Sequence, residues 1–298
     1  MPAAKFPPPL AEGDRVGVAA LSGPIDPSAL EAGLGTLLDL GLQPVLASNL
    51  ESDSGLFAGG DDERLEAFTK LATDPALKAI FFARGGHGIL RVLPKIDWSL
   101  LARFPRAYIG YSDVTPLLNL IVDRLELVAF HGPMVAVECA AGLEPEERES
   151  LWSLLTGAEH FEMSVEGSGE AARGVLKGGC LSLLAATTGT EFAPDFRGAV
   201  LFWEDVAEPL YRLDRMLTQL KLSGSLSEIN AMVAGRIELL ESDRATGGIA
   251  RLMENLGSEV DVPAAWGLAS GHCRPNLTLP LGAEVSLDLE AGILRLES

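Results

Sequence analysis

The sequence predicts an α/β protein, with an N-terminal, mainly parallel sheet flanked by helices and a smaller, β-rich C-terminal domain. Three observations support this fold class. The chain has 298 residues, which exceeds the usual size of a single domain. Its first half alternates short apolar stretches with stretches in which apolar residues recur at helical spacing, the pattern of a parallel sheet covered by helices. Near the C-terminus, by contrast, apolar residues occupy every second position, which is typical of strands.

The first half of the chain supplies the strands and helices of the predicted parallel sheet in alternation. Asp61 and Asp62 are expected to cap the second helix. Ligand sites in such sheets lie at the carboxyl ends of the strands, which here are the loops after Ala83 and Tyr111. The predicted strands span 15–21, 43–46, 78–83 and 107–111, and the predicted helices span 27–40, the stretch from Asp61-Asp62 to 72, and 114–125.

The composition changes after about Cys139, where an acidic segment begins. This segment contains one predicted helix over 144–156 and then a tract rich in Gly, Ser and Glu. We interpret it as a connection, which divides the chain into an N-terminal domain over 1–138, a connecting segment over 139–173 and a C-terminal domain over 174–298. The elements predicted in the last domain are a strand over 198–203, a helix over 212–222, and a hairpin with strands over 285–289 and 293–296.

Charge and hydropathy exclude several classes of function. The formal net charge of −19 argues against nucleic acid or an anionic membrane as a partner. No apolar run reaches the ~18 residues needed to span a bilayer, and the N-terminus lacks the apolar core of a signal peptide, so we expect a soluble, cytoplasmic protein. The three cysteines are widely spaced and form no CxxC pattern. We therefore expect no disulfide framework, no metal site and no cofactor.

Ser112 lies between a predicted strand and a predicted helix. Pro116 is tolerated only in the first helical turn, so the helix must begin within a few residues of Ser112. A hydroxyl on such a sharp turn can be held exposed above a sheet edge, and the N–H groups that follow can stabilise a developing oxyanion. On this pattern alone, a serine that merely caps the helix is the commoner role.

The glycine-rich loop Arg84-Gly-Gly-His-Gly88 follows another predicted strand. It does not fit the dinucleotide-binding fingerprint, which would need a third glycine where Arg91 stands, and it lacks the Lys-Ser/Thr of a P-loop. Glycine N–H groups can instead approach a ligand oxygen closely. A tight turn without further function explains the pattern about equally well.

The chain has four histidines, and periodicity does not choose firmly between two of them as a catalytic base. His160 lies in the acidic connection and His87 in the glycine-rich loop. His131 ends a predicted strand, which favours a structural role, whereas His272 lies in a loop between apolar stretches, where functional residues concentrate. Both His131 and His272 stay open on this ground.

Glu204 and Asp205 follow directly from the predicted strand over 198–203. A run of acids is usually a solvated surface, but a carboxylate at the tip of a buried strand is well placed to orient an imidazole. The order Ser112, Glu204, His272 is also that of α/β-hydrolases. The turn around Ser112 lacks the second glycine of their G-x-S-x-G motif, which counts against an ordinary α/β-hydrolase.

Five motifs in fixed order resemble the LD-carboxypeptidases, a serine peptidase family that also contains the microcin C self-immunity peptidases. Each motif alone is modest, but five in order are specific, and the resemblance runs from about Asp14 to Leu289. The motifs are Arg84-Gly-Gly-His-Gly88, Gly110-Tyr-Ser-Asp-Val-Thr115, Phe130-His-Gly-Pro-Met134, Glu204-Asp-Val-Ala-Glu-Pro209 with Tyr211-Arg-Leu-Asp-Arg-Met-Leu217, and Gly271-His-Cys-Arg-Pro-Asn-Leu-Thr-Leu-Pro280.

The resemblance implies a catalytic triad and an oxyanion hole. It assigns Ser112 as the nucleophile, Glu204 as the acid and His272 as the base, with the backbone N–H groups of Gly86 and Asp113 as oxyanion donors. This chain departs from the family pattern at three positions, which leaves its fine substrate preference open. These are His87 where tyrosine is common, Cys180 where asparagine usually follows two glycines, and Cys273 where glycine is common.

The family resemblance also implies an activity, namely hydrolysis of an L,D-peptide bond that releases a C-terminal D-amino acid, typically from murein tetrapeptides during wall recycling. A microcin C-type aminoacyl-adenylate substrate and a non-catalytic wall-peptide-binding protein are the alternatives. The net charge of −19 repels the C-terminal carboxylate of a peptide substrate, so a cation is expected to bind that carboxylate. The candidates are Arg84, Arg212 and Arg274. The family is commonly dimeric, so a homodimer is possible here.

Overall fold

The computed structural model describes residues 3–157, 161–239, 241–244 and 247–297; His160 lies outside this part of the chain. The strands are β1 Arg15–Ala19, β2 Gln43–Leu46, β3 Leu77–Phe82, β4 Ala107–Gly110, β5 Ala129–His131, β6 Glu162–Ser164, β7 Glu166–Ser168, β8 Ala172–Cys180, β9 Ala199–Glu204, β10 Ala231–Gly235, β11 Ala264–Leu268, β12 Leu279–Leu281, β13 Glu284–Asp288 and β14 Ile293–Leu296. The helices are α1 Pro27–Asp39, α2 Asp61–Ala72, α3 Ile89–Val92, α4 Trp98–Leu101, α5 Thr115–Leu125, α6 Pro145–Leu155, α7 Leu181–Thr187, α8 Leu210–Leu222, α9 Glu241–Arg244 and α10 Gly248–Val260.

The N-terminal sheet has the strand order β12-β5-β4-β3-β1-β2. Its five strands from the first half of the chain are all parallel, and β12 is antiparallel to β5. Consecutive parallel strands need a crossover connection, and α1, α2 and α5 lie in connections of this kind. The mainly parallel N-terminal sheet predicted from the sequence is confirmed.

The second sheet has the strand order β6-β14-β13-β8-β9-β10-β11-β7. Its central strands β8, β9, β10 and β11 are parallel, and antiparallel strands complete both edges. The predicted C-terminal hairpin is formed by β13 and β14. The C-terminal part is therefore β-rich as predicted, although its parallel centre was not foreseen.

Strand pairing joins the predicted domains across both boundaries. Strands β6 and β7, from the segment interpreted as a connection, pair with β14 and β11 of the second sheet. Strand β12, from the C-terminal third, pairs with β5 of the first sheet. The division at residues 138 and 173 stays a prediction. These pairings connect the N-terminal and C-terminal parts of the chain through both sheets.

Most predicted elements lie within two residues of the observed ones, and β2 has the predicted bounds. One detail was wrong. Asp61 and Asp62 do not cap α2, because Gly60 is its N-cap and both aspartates lie in the first helical turn. There the carboxylates still interact favourably with the positive end of the helix dipole.

The central strands β9 and β10 of the second sheet are buried on both faces. Along β9, Val200 and Phe202 belong to the apolar core shared with the first sheet, whereas Leu201 and Trp203 belong to a second core on the opposite face. Successive side chains of a strand point to opposite faces, so burial on both sides explains why β9 is continuously apolar. No helix in the described part of the chain is long and apolar enough to cross a membrane.

Candidate active site

Ser112 is held in an unusual backbone conformation between β4 and α5. Its φ is 62°, which is a left-handed conformation that costs an L-residue about 1–2 kcal/mol, and a short 3₁₀ turn over Ser112–Val114 leads into α5. Gly85 lies against it: a Cβ atom at Gly85 would come within 2.8 Å of the Ser112 Cβ. Ser112 is half-buried, and it lies on the strand-to-helix turn where the sequence placed it.

Ser112, His272 and Glu204 form a continuous hydrogen-bonded relay. The Ser112 Oγ lies 3.1 Å from the His272 Nε2, and the His272 Nδ1 lies 2.7 Å from the Glu204 Oε2. The Glu204 Oε2 also accepts the backbone N–H of His272 at 3.0 Å. One carboxylate oxygen therefore fixes both the loop and the ring of His272, and this favours the tautomer with the proton on Nδ1.

Glycines leave the space that Glu204 and its loop require. Glu204 ends β9 and is fully buried. A Cβ at Gly271, which has a φ of +109°, would lie 2.5 Å from the Glu204 Cγ, and a Cβ at Gly235 would lie 2.9 Å from the Glu204 Cβ. The Asn276 Oδ1 accepts the N–H of Gly271 at 2.9 Å, so this side chain holds the loop close to the acid.

The loops after β1, β3 and β4 are hydrogen bonded to one another around the predicted oxyanion donors. The Asp113 Oδ2 accepts the Ser22 hydroxyl at 2.6 Å and the N–H of Ile89 at 2.9 Å, and the Gly85 carbonyl accepts the N–H of Gly23 at 3.1 Å. The backbone hydrogen bonds that join the described turns and loops include none donated by Gly86 or Asp113. Both N–H groups stay the predicted oxyanion donors.

His272 carries a raised pKa because carboxylates surround it. Burial lowers the pKa of His272, but the hydrogen bond to Glu204 and the charges of Glu204, Asp205 and Glu138 together outweigh it. Glu138 is buried and accepts the Tyr111 hydroxyl at 2.6 Å and the N–H of Met134 at 2.9 Å. The Tyr111 ring packs edge-on against the His272 ring, with 4.8 Å between the ring centroids. By accepting the Tyr111 hydroxyl, Glu138 therefore also holds the ring that borders the imidazole.

The structure separates the two histidines that periodicity left open, since only His272 contacts Ser112. His131 is fully buried at the end of β5 and packs against Tyr111 and Phe202. Burial lowers the pKa of His131 to about 3, with a smaller contribution from His272. His131 is therefore neutral beneath the relay, in keeping with the structural role that its position favoured.

The three candidate arginines differ in their partners. Arg84 is exposed next to the Ser112–Gly85 contact, and its guanidinium donates to the Pro24 carbonyl at 2.7 Å. Arg212 is paired with Glu208 at 2.9 Å. Arg274 is held by the carboxylates of Glu144 and Glu147 and by the carbonyl of Gly142. Among the described residues, then, Arg84 is the candidate without a carboxylate partner.

The cysteines show no sign of an activated thiolate. Cys139 and Cys180 are buried, and burial raises the pKa of each. Cys273 is half-buried, its thiol donates to the Pro275 carbonyl at 3.4 Å, and burial raises its pKa to about 11. Within residues 3–157, 161–239, 241–244 and 247–297, no group of three His, Cys, Asp or Glu side chains is arranged to hold a metal ion.

Sequence reasoning missed several residues that shape this site. Gly85 makes room for Ser112, Gly271 and Asn276 place the His272 loop, and Tyr111 and Glu138 form a wall beside the imidazole. All of these except Glu138 occur in the quoted motifs, but their roles depend on contacts that form only in the folded chain. Glu138 had no signal in the sequence, because a single acid in an otherwise apolar stretch looks like a surface residue.

Comparison with known proteins gives matches along nearly the whole chain. The family model for the LD-carboxypeptidase N-terminal domain matches residues 16–132, and that for the LD-carboxypeptidase C-terminal domain matches residues 173–287. The probable murein peptide carboxypeptidase of Bacillus subtilis (strain 168) is 36% identical over 95% of this chain and 94% of that protein. The microcin C7 self-immunity protein MccF of Escherichia coli is 25% identical over 95% of this chain and 92% of that protein.

A solved structure shows the same architecture. The muramoyltetrapeptide carboxypeptidase from Oxalobacter formigenes matches with a TM-score of 0.86 and 30% identity, over 95% of this chain and 97% of that chain. The family predicted from the five motifs is thereby confirmed. The chain belongs to the LD-carboxypeptidase family of serine peptidases.

Proposed function

We propose that the protein is a serine carboxypeptidase that releases the C-terminal D-amino acid of murein tetrapeptides in cell-wall recycling, with Ser112, His272 and Glu204 as its triad. The observation that carries the proposal is the Ser112–His272–Glu204 relay, with distances of 3.1 and 2.7 Å. The relatives named as murein peptide and muramoyltetrapeptide carboxypeptidases support this substrate class. The cytoplasmic location and the homodimer expected from the sequence belong to the same proposal.

The expected reaction is acyl transfer in two halves. The Ser112 Oγ attacks the scissile carbonyl carbon while its proton passes to the His272 Nε2. When the tetrahedral intermediate collapses, the C–N bond breaks and His272 returns the proton to the nitrogen of the departing D-amino acid. Water, deprotonated by His272, then attacks the ester; the shortened peptide leaves with a free carboxylate, and Ser112 regains its proton.

Charge develops on two groups in the transition state, and each has a designated partner. The oxyanion would accept the N–H groups of Gly86 and Asp113, and removing one such donor costs about 3–4 kcal/mol in comparable sites. The imidazolium of His272 is stabilised by Glu204, whose carboxylate is already aligned with Nδ1. The contact between Glu204 and His272 forms without a substrate, so stabilising the imidazolium needs little reorganisation.

Release of D-alanine from a murein tetrapeptide tests the proposal directly. The purified protein is incubated with L-Ala-D-Glu-meso-diaminopimelate-D-Ala, and tripeptide and free D-alanine are measured by mass spectrometry. We expect stoichiometric formation of both products by the native chain. A peptide that ends in L-alanine serves as the control substrate; cleavage of that peptide at the same rate, or of neither peptide, would refute the L,D specificity.

The similarity to MccF favours a second candidate with the same chemistry. An aminoacyl-adenylate of the microcin C type would be hydrolysed by the same relay, and an aromatic side chain near Glu204, such as the adjacent Trp203, would be needed to stack on its adenine. Trp203 is fully buried on the far face of β9, so it does not offer a stacking surface in this structure. Parallel assays with the tetrapeptide and an aspartyl-adenylate would decide between the two substrates. Tight binding of tetrapeptide without turnover would instead indicate the non-catalytic binding protein.

Arg84 is the residue that we expect to bind the C-terminal carboxylate of the substrate. Replacement of Arg84 by Lys keeps a positive charge but removes the two parallel hydrogen bonds, so kcat/KM should fall about tenfold or more. Steady-state kinetics at constant ionic strength measure this change. Because Arg212 and Arg274 are already paired with carboxylates, Arg212→Lys and Arg274→Lys should change kcat/KM less.

A substrate with an amidated C-terminus provides the control for the carboxylate contact. It should be poor for the native chain, and Arg84→Lys should add little to that defect, since the group it binds is already absent. If none of the three arginine variants discriminates between the acid and the amide, backbone donors bind the carboxylate instead.

The pH dependence of kcat/KM should report the pKa of His272. The base must be neutral to accept the Ser112 proton, so kcat/KM should fall as the pH drops through that pKa. Because the pKa is raised above its usual 6.5, the midpoint is expected above pH 6.5. Glu138→Gln removes one of the charges responsible, which should move the midpoint to lower pH. Glu146→Gln, at an exposed position of α6, changes the net charge equally and should leave the midpoint in place.

Neither Cys273 nor a metal ion should be needed for turnover. Cys273 has a raised pKa and bonds to the Pro275 carbonyl rather than to His272, so Cys273→Ser should retain most of the activity. EDTA should not inhibit, because the described residues offer no ligand cluster. Loss of activity in EDTA that added zinc restores would contradict this expectation.

A further inference from the structure

One face of α5 is hydrogen bonded to the end of β8, and these contacts connect the two parts of the relay. Ser112 begins the 3₁₀ turn that leads directly into α5, whereas Glu204 ends β9. Strand β8 is the parallel neighbour of β9, and Cys180, its last residue, is the register partner of Glu204. Any shift of α5 against β8 therefore changes the distance between the nucleophile and the acid.

The contacts nearest Ser112 are made by Thr115 and Asn119, which are both fully buried. The Thr115 Oγ1 accepts the N–H of Cys180 at 3.1 Å. The Asn119 Oδ1 accepts the N–H of Gly178 at 3.0 Å, and the Asn119 Nδ2 donates to the Gly178 carbonyl at 2.8 Å. Asn119 thus bonds to both the N–H and the carbonyl of Gly178. We call this region, where α5 meets the end of β8, the junction.

The third contact, farther along the helix, is an ion pair. The Lys177 ammonium donates to the Asp123 carboxylate and to the Asp195 carbonyl, and the side chain of Lys177 is fully buried. The other Asp123 oxygen accepts the N–H of Asp195 at 3.2 Å. Residues 115, 119 and 123 are spaced by four, so they lie on the same face of α5. We call these three residues the α5 ladder.

Two glycines near the end of β8 allow close approach by the elements on either side. Gly178 has a φ of +128° and Gly179 a φ of +133°. A Cβ at Gly179 would lie 2.7 Å from the Thr115 Oγ1, so bare backbone at Gly179 faces α5. A Cβ at Gly178 would lie 1.8 Å from the Phe202 carbonyl oxygen, so the missing side chain there makes room for β9, while Asn119 bonds directly to the Gly178 backbone.

We propose that the α5 ladder positions the nucleophile relative to the acid and base, so that Thr115 and Asn119 are positioning residues of the peptidase reaction. The inference rests on the proposed function, because it concerns the same relay. A misplacement of about 1 Å at a catalytic group can lower a rate about 100-fold, which is why a buried polar contact at this junction matters for turnover.

The ladder should influence catalysis most at its end nearest Ser112. With a rise of 1.5 Å per residue, Asp123 lies about 12 Å farther along the helix axis than Thr115. A change at Thr115 acts on the turn that holds Ser112, whereas a change at Asp123 acts mainly on the stability of the junction. A merely structural ladder would show no such gradient in kcat.

Replacing Thr115 by Val and by Ser separates the hydroxyl from the shape of the side chain. Thr115→Val removes the acceptor of the Cys180 N–H, and we expect kcat to fall about 10- to 100-fold with KM changed by less than about threefold. Thr115→Ser restores the hydroxyl and should recover kcat to within about threefold of the native value. Urea unfolding of each variant ensures that kcat is compared for fully folded protein.

Thr187→Val is the matched control. Thr187 is likewise a buried helical threonine with one hydrogen bond, from its Oγ1 to the Leu184 carbonyl at 2.9 Å, but it lies in α7 and contacts no residue of the relay. It should lose stability without losing kcat. If Thr115→Val keeps the native kcat, or if Thr115→Ser is as slow as Thr115→Val, the ladder is only structural and the inference fails.

Labelling of Ser112 by a fluorophosphonate distinguishes failure of this inference from failure of the proposed function. The reagent phosphonylates an activated serine, with loss of fluoride and transfer of the hydroxyl proton to His272, and it needs no peptide substrate. If the native chain releases no D-alanine but labels rapidly, the proposed substrate is wrong. A labelling rate that falls in Thr115→Val and recovers in Thr115→Ser supports the ladder in that case too, whereas equal labelling rates overturn it.

Discussion

Ser112→Ala should fold normally and lose about 10⁴- to 10⁶-fold in kcat, because no other group in the relay can form the acyl-enzyme. The substitution removes one half-buried hydroxyl and leaves the left-handed backbone conformation as strained as before. Tetrapeptide hydrolysis by the purified variant measures the loss. Residual turnover above roughly one per cent of the native rate would exclude Ser112 as the nucleophile.

Ser112→Gly provides a second readout at the same position. It should be as inactive as the alanine variant, but glycine adopts a φ of 62° without a Cβ clash, so it should unfold at higher urea concentration than Ser112→Ala. The expected gain is up to about 1 kcal/mol, since the relief of strain is partly offset by the greater freedom of glycine in the unfolded chain. An alanine variant that matches the glycine variant in stability would show that the turn is not strained.

The regular parts of the fold could be predicted because burial imposes a period on the sequence. Strand β2 has its predicted bounds, and α1 and α5 differ from the predicted helices by one residue at an end. Helix α8 begins at Leu210 rather than Arg212, because the Asp243 carboxylate accepts the Leu210 N–H. That contact joins residues distant in sequence, so the periodicity of the local sequence cannot predict it.

Edge strands escaped prediction for a related reason. Strands β6 and β7 lie in a tract rich in Gly, Ser and Glu, and much of their surface is exposed. A strand that is exposed on most of its surface needs no apolar alternation, so its sequence looks like a loop. Strand β12 is apolar but only three residues long, and nothing local shows that it pairs with β5 of the other sheet.

The relay itself lies beyond what spacing alone could predict. Ser112 and Glu204 could be placed at strand ends, but periodicity could not choose between His131 and His272. The resemblance made that choice, and the structure brings His272 to Ser112. The surrounding contacts could not be foreseen, since Gly85, Tyr111 and Glu138 act through segments that meet only in the folded chain.

Glu204→Gln should reduce kcat about 10⁴-fold while the protein stays folded. The amide is close in size to the carboxylate, but it carries no charge to stabilise the imidazolium. If its NH2 group faces the ring in place of the Glu204 Oε2, it donates to Nδ1, and the tautomer with the proton on Nε2 then faces Ser112. Tetrapeptide kinetics over a range of pH measure the loss, which should persist at high pH because it does not arise from protonation of the base.

Asp205→Asn is the control that separates the relay from the general negative charge around His272. Asp205 is also buried and also raises the pKa of His272, but its oxygens accept the N–H groups of Ser182 and Val206, not those of His272. At a pH where His272 is neutral, this variant should therefore lose less than about tenfold in kcat. The pH at which activity falls through protonation of His272 should be lower than in the native chain. If Asp205→Asn loses as much as Glu204→Gln, net charge rather than the hydrogen bond to Nδ1 supports the base. If Glu204→Gln keeps more than about one tenth of the native kcat, the acid of the relay is misassigned, because an amide at that position cannot hold an imidazolium.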